Sequence, residues 1–128
     1  MIKFCETDVE KTIIELLVDL GYSYITEDNS WLQERTLSTF INEQVLLEQL
    51  FKINKGVKTK ILEEAINEIK KIDHPSLFER NKIFHNYLVD GITIEDYDSD
   101  VNPLIKLVDF EHIENNLFEV GNQIKFHE

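Results

Sequence analysis

Residues 81–123 read NKIFHNYLVDGITIEDYDSDVNPLIKLVDFEHIENNLFEVGNQ, and the hydrophobic periodicity of this stretch changes at Gly91. Apolar residues recur with helical spacing before Gly91 and alternate after it, as they do in strands. Asn81 and His85 lie one helical turn apart on a face that they share with Leu88. Two hydrogen-bonding side chains therefore occupy positions where an amphipathic helix carries its apolar stripe.

Asp109 is likewise a polar residue at a position where apolar residues are expected, in the strand part of the stretch. It lies in the run Leu104 to Phe110, whose alternation places its carboxylate on the same side as Ile105 and Leu107. A carboxylate among apolar neighbours must be hydrogen-bonded or protonated. We interpret this set as a buried polar network that joins helix to sheet, with the lining of a functional cleft as the alternative. The predicted network comprises Asn81, His85, Asp109, Asn122 and Gln123, with Asn115 as a further partner for Asp109.

Helices are predicted over much of residues 7–90. Thr7 and Glu10 have the spacing of a capping box, and Ser76 and Glu79 have it again before the helix that carries Asn81. Asn42 is predicted to cap a helix that ends at Asn54-Lys55-Gly56. The clearest amphipathic pattern follows it, with Val57, Ile61, Leu62, Ala65, Ile66 and Ile69 on one face.

Strands are predicted from residue 92 to about residue 126. The segments are Ile92 to Tyr97, Leu104 to Phe110 and Leu117 to Phe126, with a further short strand at Tyr22 to Ile25. Residues 28–38 are polar and aperiodic and are predicted to form a loop. The order predicts an α/β protein of α+β type, a single domain over residues 1–128 in which the helices pack on one face of a largely antiparallel sheet.

Composition limits the functions that this chain can have alone. It has 128 residues, 42% of them hydrophobic and 30% charged, with a net charge of −12 at pH 7. Such a charge argues against autonomous binding to nucleic acid, which needs clustered Lys and Arg. A single cysteine, Cys5, fits a reducing cytoplasm, and the apolar run from Ile13 to Leu20 is broken by acids, so we expect a soluble protein.

Several common site types do not fit the residue spacings of this sequence. Asp96, Asp98, Asp100 and Asn102 have the alternation of a calcium loop, but counting from Asp98 puts Pro103 where a left-handed glycine is needed. The four histidines have no zinc spacing, and the four glycines are isolated, so no ATP-binding loop is predicted.

Glu10 and His85 have two interpretations each. Glu10 is explained by the capping box, and a role in a metal-binding cleft needs more acidic partners. His85 is interpreted as a satisfied, partly buried histidine before a general base.

The chain resembles the N-terminal part of the restriction (R, or HsdR) subunit of type I restriction enzymes over nearly its whole length. The matching segments are Glu10-x-x-Ile13-x-x-Leu16 with Gly21-Tyr22, Asn81-x-x-Phe84-His85-x-x-Leu88-x-x-Gly91, Leu107-Val108-Asp109-Phe110, Asn116-x-Phe118-x-Val120 and Asn122-Gln123. Their order and spacing agree with the family, and the part from Asn81 to Gln123 is the specific one.

The resemblance implies part of a restriction-endonuclease-like domain at the front of a large ATP-driven DNA translocase that defends against foreign DNA. The parent subunit uses Mg²⁺ and ATP and joins methyltransferase and specificity subunits. Its cutting residues are an Asp after an Arg-Pro pair and a Glu-x-Lys on the next strand, and neither follows Asn122-Gln123 in this sequence. Of the residues present, Glu10 matches the first-helix acid of the family's cleft.

We therefore expect these residues to be a truncated or deliberately cut piece of such a subunit, able to fold but unable to cleave or translocate DNA. Ending at residue 128 is expected to leave Leu117 to Phe126 without a partner strand and so to promote self-association. The alternatives are a small acidic interaction protein that mimics DNA, which the charge of −12 favours, and a scaffold that docks the motor to its partners.

Overall fold

A computed structural model describes residues 5–26, 28–34 and 41–122. It divides the chain into two compact units, one formed by residues 1–42 and 117–128 and the other by residues 43–116. The prediction of a single domain stays a prediction.

The second unit contains the hydrophobic core of the described residues. Helices α3 (Glu43–Ile53) and α4 (Thr59–Lys70) confirm two predicted helices, and they pack against each other. The apolar face predicted for α4 is buried, since all of its predicted members within the helix are 5% exposed or less. The core residues are Leu50, Ile61, Leu62, Ala65, Ile66, Ile69, Ile92, Ile94 and Ile105.

Helix α5 (Leu77–Asp90) begins and ends as predicted. The Ser76 side chain accepts a hydrogen bond from the backbone N–H of Glu79 at 3.4 Å, which caps the first turn. Gly91 ends the helix with φ of 82°, a left-handed value. A Cβ atom at Gly91 would lie 2.7 Å from the carbonyl oxygen of Ile105, so glycine is needed both for its backbone angle and for this close approach.

A hairpin follows α5, but its strands are shorter than predicted. Strand β1 (Ser23–Tyr24) belongs to the first unit. The hairpin of the second unit is formed by β2 (Ile92–Thr93) and β3 (Leu104–Ile105), which pair antiparallel. Each of these three strands has two residues. After Ile94, side chains take over backbone hydrogen bonds: Asn102 accepts from the Asp96 N–H and Asp96 accepts from the Asp98 N–H. Local side-chain bonds of this kind compete with a strand ladder.

The first unit begins with helix α1 (Glu6–Asp19) and continues through β1 to helix α2 (Ser30–Glu34). The short strand predicted at residues 22–25 is confirmed. The loop predicted at residues 28–38 is wrong where α2 forms, and residues 35–38 lie outside the described part. The Asn29 side chain accepts a hydrogen bond from the Leu32 N–H at 3.2 Å, which is a helix-start contact that the polar composition of this segment concealed.

Strand β4 (Glu119–Val120) corrects the predicted meander. It pairs parallel with β1, with Ser23 opposite Glu119 and Tyr24 opposite Val120, instead of continuing the antiparallel hairpin. Two bonds extend the pairing, from Ser23 N to Phe118 O at 2.7 Å and from Ile25 N to Val120 O at 2.8 Å. The premise that this segment lacks a partner is therefore wrong for Glu119–Val120, and residues 123–126 of the predicted strand lie outside the described part.

The described residues thus form a mixed α/β structure of helices with two small two-stranded sheets. Among them, no helix is both long enough and apolar enough to cross a membrane.

Candidate functional site

The first unit brings together three polar side chains from distant parts of the chain. Asn122 donates from Nδ2 to Glu10 Oε2 at 3.1 Å, across 112 residues of sequence. Tyr24 donates from its hydroxyl to Asn122 Oδ1 at 2.7 Å. Glu10, Tyr24 and Asn122 therefore form a hydrogen-bonded cluster that joins α1, β1 and the residues after β4.

The local fold explains why these residues meet. Helix α1 ends at Asp19, and Gly21, whose φ is 105°, then turns the chain sharply. The Tyr22 N–H donates back to Leu17 O at 3.0 Å. The Tyr22 ring lies 5.2 Å from that of Phe118, between centroids. This contact and the parallel pairing hold β4 beside β1, so that Asn122 reaches Glu10.

The capping-box interpretation of Glu10 is wrong. Helix α1 begins at Glu6 with Cys5 as its N-cap and no side-chain capping bond, so Thr7 already lies inside the helix. Glu10 lies one turn further in, half-buried, and accepts from Asn122. Its role in a cleft stays a prediction.

Asn81 and His85 lie on exposed positions of α5, a helix in which no residue is buried. Within the part of the chain that the structure describes, the side chains of Asn81 and His85 make no hydrogen bond. The face of α5 that carries them is not covered within the described part of the second unit, and their place in a polar network stays a prediction. Gln123 lies outside the described residues.

Asp109 is the centre of a local network whose partners come from its own turn, Asn115 among them, whereas the predicted network joins helix to sheet. Its carboxylate accepts from Asn115 Nδ2 at 3.0 Å and from the backbone N–H groups of His112 at 2.9 Å and Glu111 at 3.1 Å. Asn116 pairs with the Asp109 backbone at both ends of its amide, at 2.8 and 2.9 Å. These bonds fold the segment around the short 3₁₀ helix Ile113–Asn115.

The same bonds stabilise the ionised form of Asp109. The hydrogen bond from Asn115, followed by that from the His112 N–H, holds the pKa of Asp109 below its ordinary value of 3.8. Partial burial opposes this shift, while the Glu111 N–H and the charge of His112 support it. The turn therefore contains a carboxylate that is charged at neutral pH.

Asn54 is a structural polar residue that the sequence pattern did not reveal. It is 9% exposed, and its amide donates to Leu50 O at 3.0 Å and Lys106 O at 2.9 Å while accepting from Lys106 N at 2.8 Å. Its position after α3 suggested only a helix end. Its partner Lys106 lies 52 residues further along the chain, so no local sequence pattern indicates the pairing.

The described residues do not fit the Mg²⁺ that the resemblance implies. Within residues 5–26, 28–34 and 41–122, no three His, Cys, Asp or Glu side chains are grouped so as to hold a metal ion. The acidic loop is tied instead to Lys58, whose Nζ lies 3.5 Å from Asp96 and 3.9 Å from Asp98. A Glu-x-Lys does occur at Glu68-Ile69-Lys70, but it lies in α4 and Ile69 is part of the core.

A cavity of about 490 Å³ lies in the second unit between α4 and the segment after β2. Its walls carry Glu64, Glu68 and Glu95 together with Lys71. Tyr97 donates to Glu95 at 2.7 Å, and this bond, with the charges of Glu95 and Glu64, raises the pKa of Tyr97 above its ordinary value of 10.0. The cavity therefore presents a mainly acidic surface with a neutral phenol at neutral pH.

Comparison with known proteins identifies the class of protein to which this α/β structure belongs. The family model for the type I restriction enzyme R protein N terminus matches residues 3–128. The chain belongs to this family, as the resemblance predicted.

Two relatives carry names that agree with the family. The chain is 30% identical over 123 residues to the putative type I restriction enzyme MjaIXP endonuclease subunit of Methanocaldococcus jannaschii, covering 91% of this chain and 12% of that protein. It is 27% identical over 127 residues to the type I restriction enzyme HindI endonuclease subunit of Haemophilus influenzae, covering 94% and 12%. This chain thus spans about an eighth of either relative's length. No solved structure matches the chain.

Proposed function

We propose that this chain is the N-terminal region of a type I restriction R subunit, and that the longer protein translocates DNA with ATP and cleaves it with Mg²⁺. The family match over residues 3–128 and the names of both relatives as endonuclease subunits support this. The specificity and methyltransferase subunits and DNA are its proposed partners, in the cytoplasm.

The observation that carries the proposal for the site is the bond between Glu10 and Asn122. By the resemblance, Glu10 matches the acid of the family's first helix, and Asn122 matches the Asn-Gln motif that precedes the family's cutting residues. Their side chains lie 3.1 Å apart. We infer that Glu10 contributes a carboxylate to the cleavage site, and that the described elements are part of a restriction-endonuclease-like domain.

These 128 residues are proposed to be inactive in cleavage by themselves. The Arg-Pro-Asp and the strand Glu-x-Lys of the resemblance do not follow Asn122-Gln123 in this sequence. Metal-dependent hydrolysis of a phosphodiester needs residues that bind the metal ion and a residue that helps to activate water. Glu10 supplies one carboxylate.

The test is incubation of the purified chain with supercoiled plasmid, Mg²⁺ and ATP. We expect no conversion to nicked or linear plasmid beyond that seen with EDTA. The Glu10→Gln variant, purified in parallel, is the control for contaminating nucleases. Metal-dependent nicking that survives repurification and is absent from the Glu10→Gln preparation would contradict the proposed inactivity.

A further inference from the structure

The side-chain amide of Asn122 lies between a hydrogen-bond donor, the Tyr24 hydroxyl, and an acceptor, the Glu10 carboxylate. An asparagine side chain has a carbonyl that accepts and an NH₂ group that donates. The Tyr24 hydroxyl donates to the carbonyl at 2.7 Å, and the NH₂ group donates to Glu10 at 3.1 Å. With Tyr24 on its carbonyl, the amide presents its donor to the carboxylate.

The backbone around Tyr24 is held on both sides. Ser23 and Ile25 donate to Phe118 and Val120 at 2.7 and 2.8 Å. Asn122 follows two residues after Val120, the register partner of Tyr24. The strand pairing therefore holds the backbone from which Tyr24 extends and ends two residues before Asn122, while Glu10 extends from α1 on a side chain with several staggered rotamers.

We propose that Tyr24 and Asn122 are positioning residues for Glu10. Tyr24 orients the amide, and the amide holds the carboxylate through a charge-assisted hydrogen bond. This inference rests on the proposed function, because it affects cleavage only if Glu10 belongs to the cleavage site. The family resemblance names Glu10 and Asn122 but gives Tyr24 no role, and the hydrogen bonds supply it.

The first experiment uses the chain itself and needs no activity. In NMR spectra of the protein labelled with ¹⁵N at asparagine, Tyr24→Phe is expected to shift the side-chain NH₂ signals of Asn122 and to speed their exchange with water. It is also expected to shift the Glu10 carboxyl carbon signal. Tyr22→Phe is the matched control, since it removes a hydroxyl two residues away and keeps the ring that contacts Phe118. Unchanged Asn122 signals in Tyr24→Phe would overturn the inference.

The second experiment uses the longer subunit assembled with its partners and measures plasmid cleavage at varied DNA concentration. Tyr24→Phe and Asn122→Leu are expected to lower the maximal cleavage rate roughly ten-fold, because a catalytic group held less firmly reacts less often from the right geometry. The DNA concentration giving half the maximal rate and the rate of ATP hydrolysis should not change. Tyr22→Phe should cleave as the unmodified protein does.

Failure of the proposed role of Glu10 and failure of the positioning inference give different experimental results. If Glu10→Ala cleaves at the normal rate, the proposed function of Glu10 is wrong, whatever the NMR spectra show. If Glu10→Ala abolishes cleavage while Tyr24→Phe keeps the normal maximal rate, Glu10 stays in the site and the positioning inference is wrong. A change confined to the DNA concentration for half-maximal rate would also overturn positioning.

Discussion

Asn54 pairs with the backbone of Lys106 through both ends of its side-chain amide, at 2.8 and 2.9 Å. A neighbouring strand makes the same pair of bonds, so a single side chain takes the place of a strand partner where β3 ends. Its third bond, to Leu50 O, fastens the end of α3. One residue thereby links a helix to the hairpin in the second unit.

Asn54→Ala removes these three bonds and leaves partly buried backbone groups without them. We expect the free energy of unfolding to fall by about 1–3 kcal/mol, the usual cost of unsatisfied polar groups. Urea unfolding measures it. Asn86→Ala, at an exposed position of α5, is the control and should change stability by less than about 0.5 kcal/mol. Equal effects of the two substitutions would show that the Lys106 pairing contributes nothing.

The turn that contains the 3₁₀ helix Ile113–Asn115 is expected to contribute a stability that depends on pH. The pKa of Asp109 is lower in the folded protein than its ordinary 3.8, so the ionised form stabilises the fold. This contribution is fully present above the ordinary pKa and is lost as pH falls through the folded pKa. Stability from this turn should therefore decline only below about pH 4.

Replacing Asp109 with Asn should remove this part of the pH dependence. The difference in unfolding free energy between the unmodified protein and Asp109→Asn is expected to be greatest near neutral pH and to shrink in acid.

Asn115→Leu removes the largest cause of the shift and should return the pKa of Asp109 toward its ordinary value, as followed by NMR titration of its carboxyl carbon. The same Asp109 titration in both proteins would refute this account.

The molecule as a whole carries a net charge of −12, and its lysines are partly engaged with its own acids. Lys70 lies 2.7 Å from Glu43, and Lys58 lies near Asp96 and Asp98. DNA binding releases counterions only where Lys and Arg meet phosphates. The chain therefore lacks the charge balance of an autonomous DNA-binding protein, and we expect the binding of DNA that is proposed for the subunit to depend on other parts of it.

We accordingly expect the isolated chain not to retard duplex DNA in gel electrophoresis, even at low salt, where electrostatic binding is strongest. The assembled enzyme in the same buffer serves as the positive control. A shift by the isolated chain that weakens as salt rises would contradict this expectation and would point to a basic surface that the overall charge conceals.

Local sequence rules predicted the helices of the second unit because each has its signal close by. Ser76 caps α5 through the Glu79 N–H, Gly91 supplies the left-handed stop, and the apolar positions of α4 form the core. The rules failed at the strands, because alternation alone does not reveal that Asp96, Asn102 or Asn54 will take the backbone bonds of a ladder.

The sequence by itself determined helices α1, α3, α4 and α5, the acidic character and the family, whereas α2 was predicted as a loop. Only the tertiary structure decided that β4 pairs parallel with β1, that Asp109 binds within its own turn, and that Tyr24 reaches Asn122 beside Glu10. The physical reason is the range of the interactions. Helix periodicity and caps act over a few residues, whereas the pairing that brings Glu10 to Asn122 spans 112 residues and depends on where the chain returns in space.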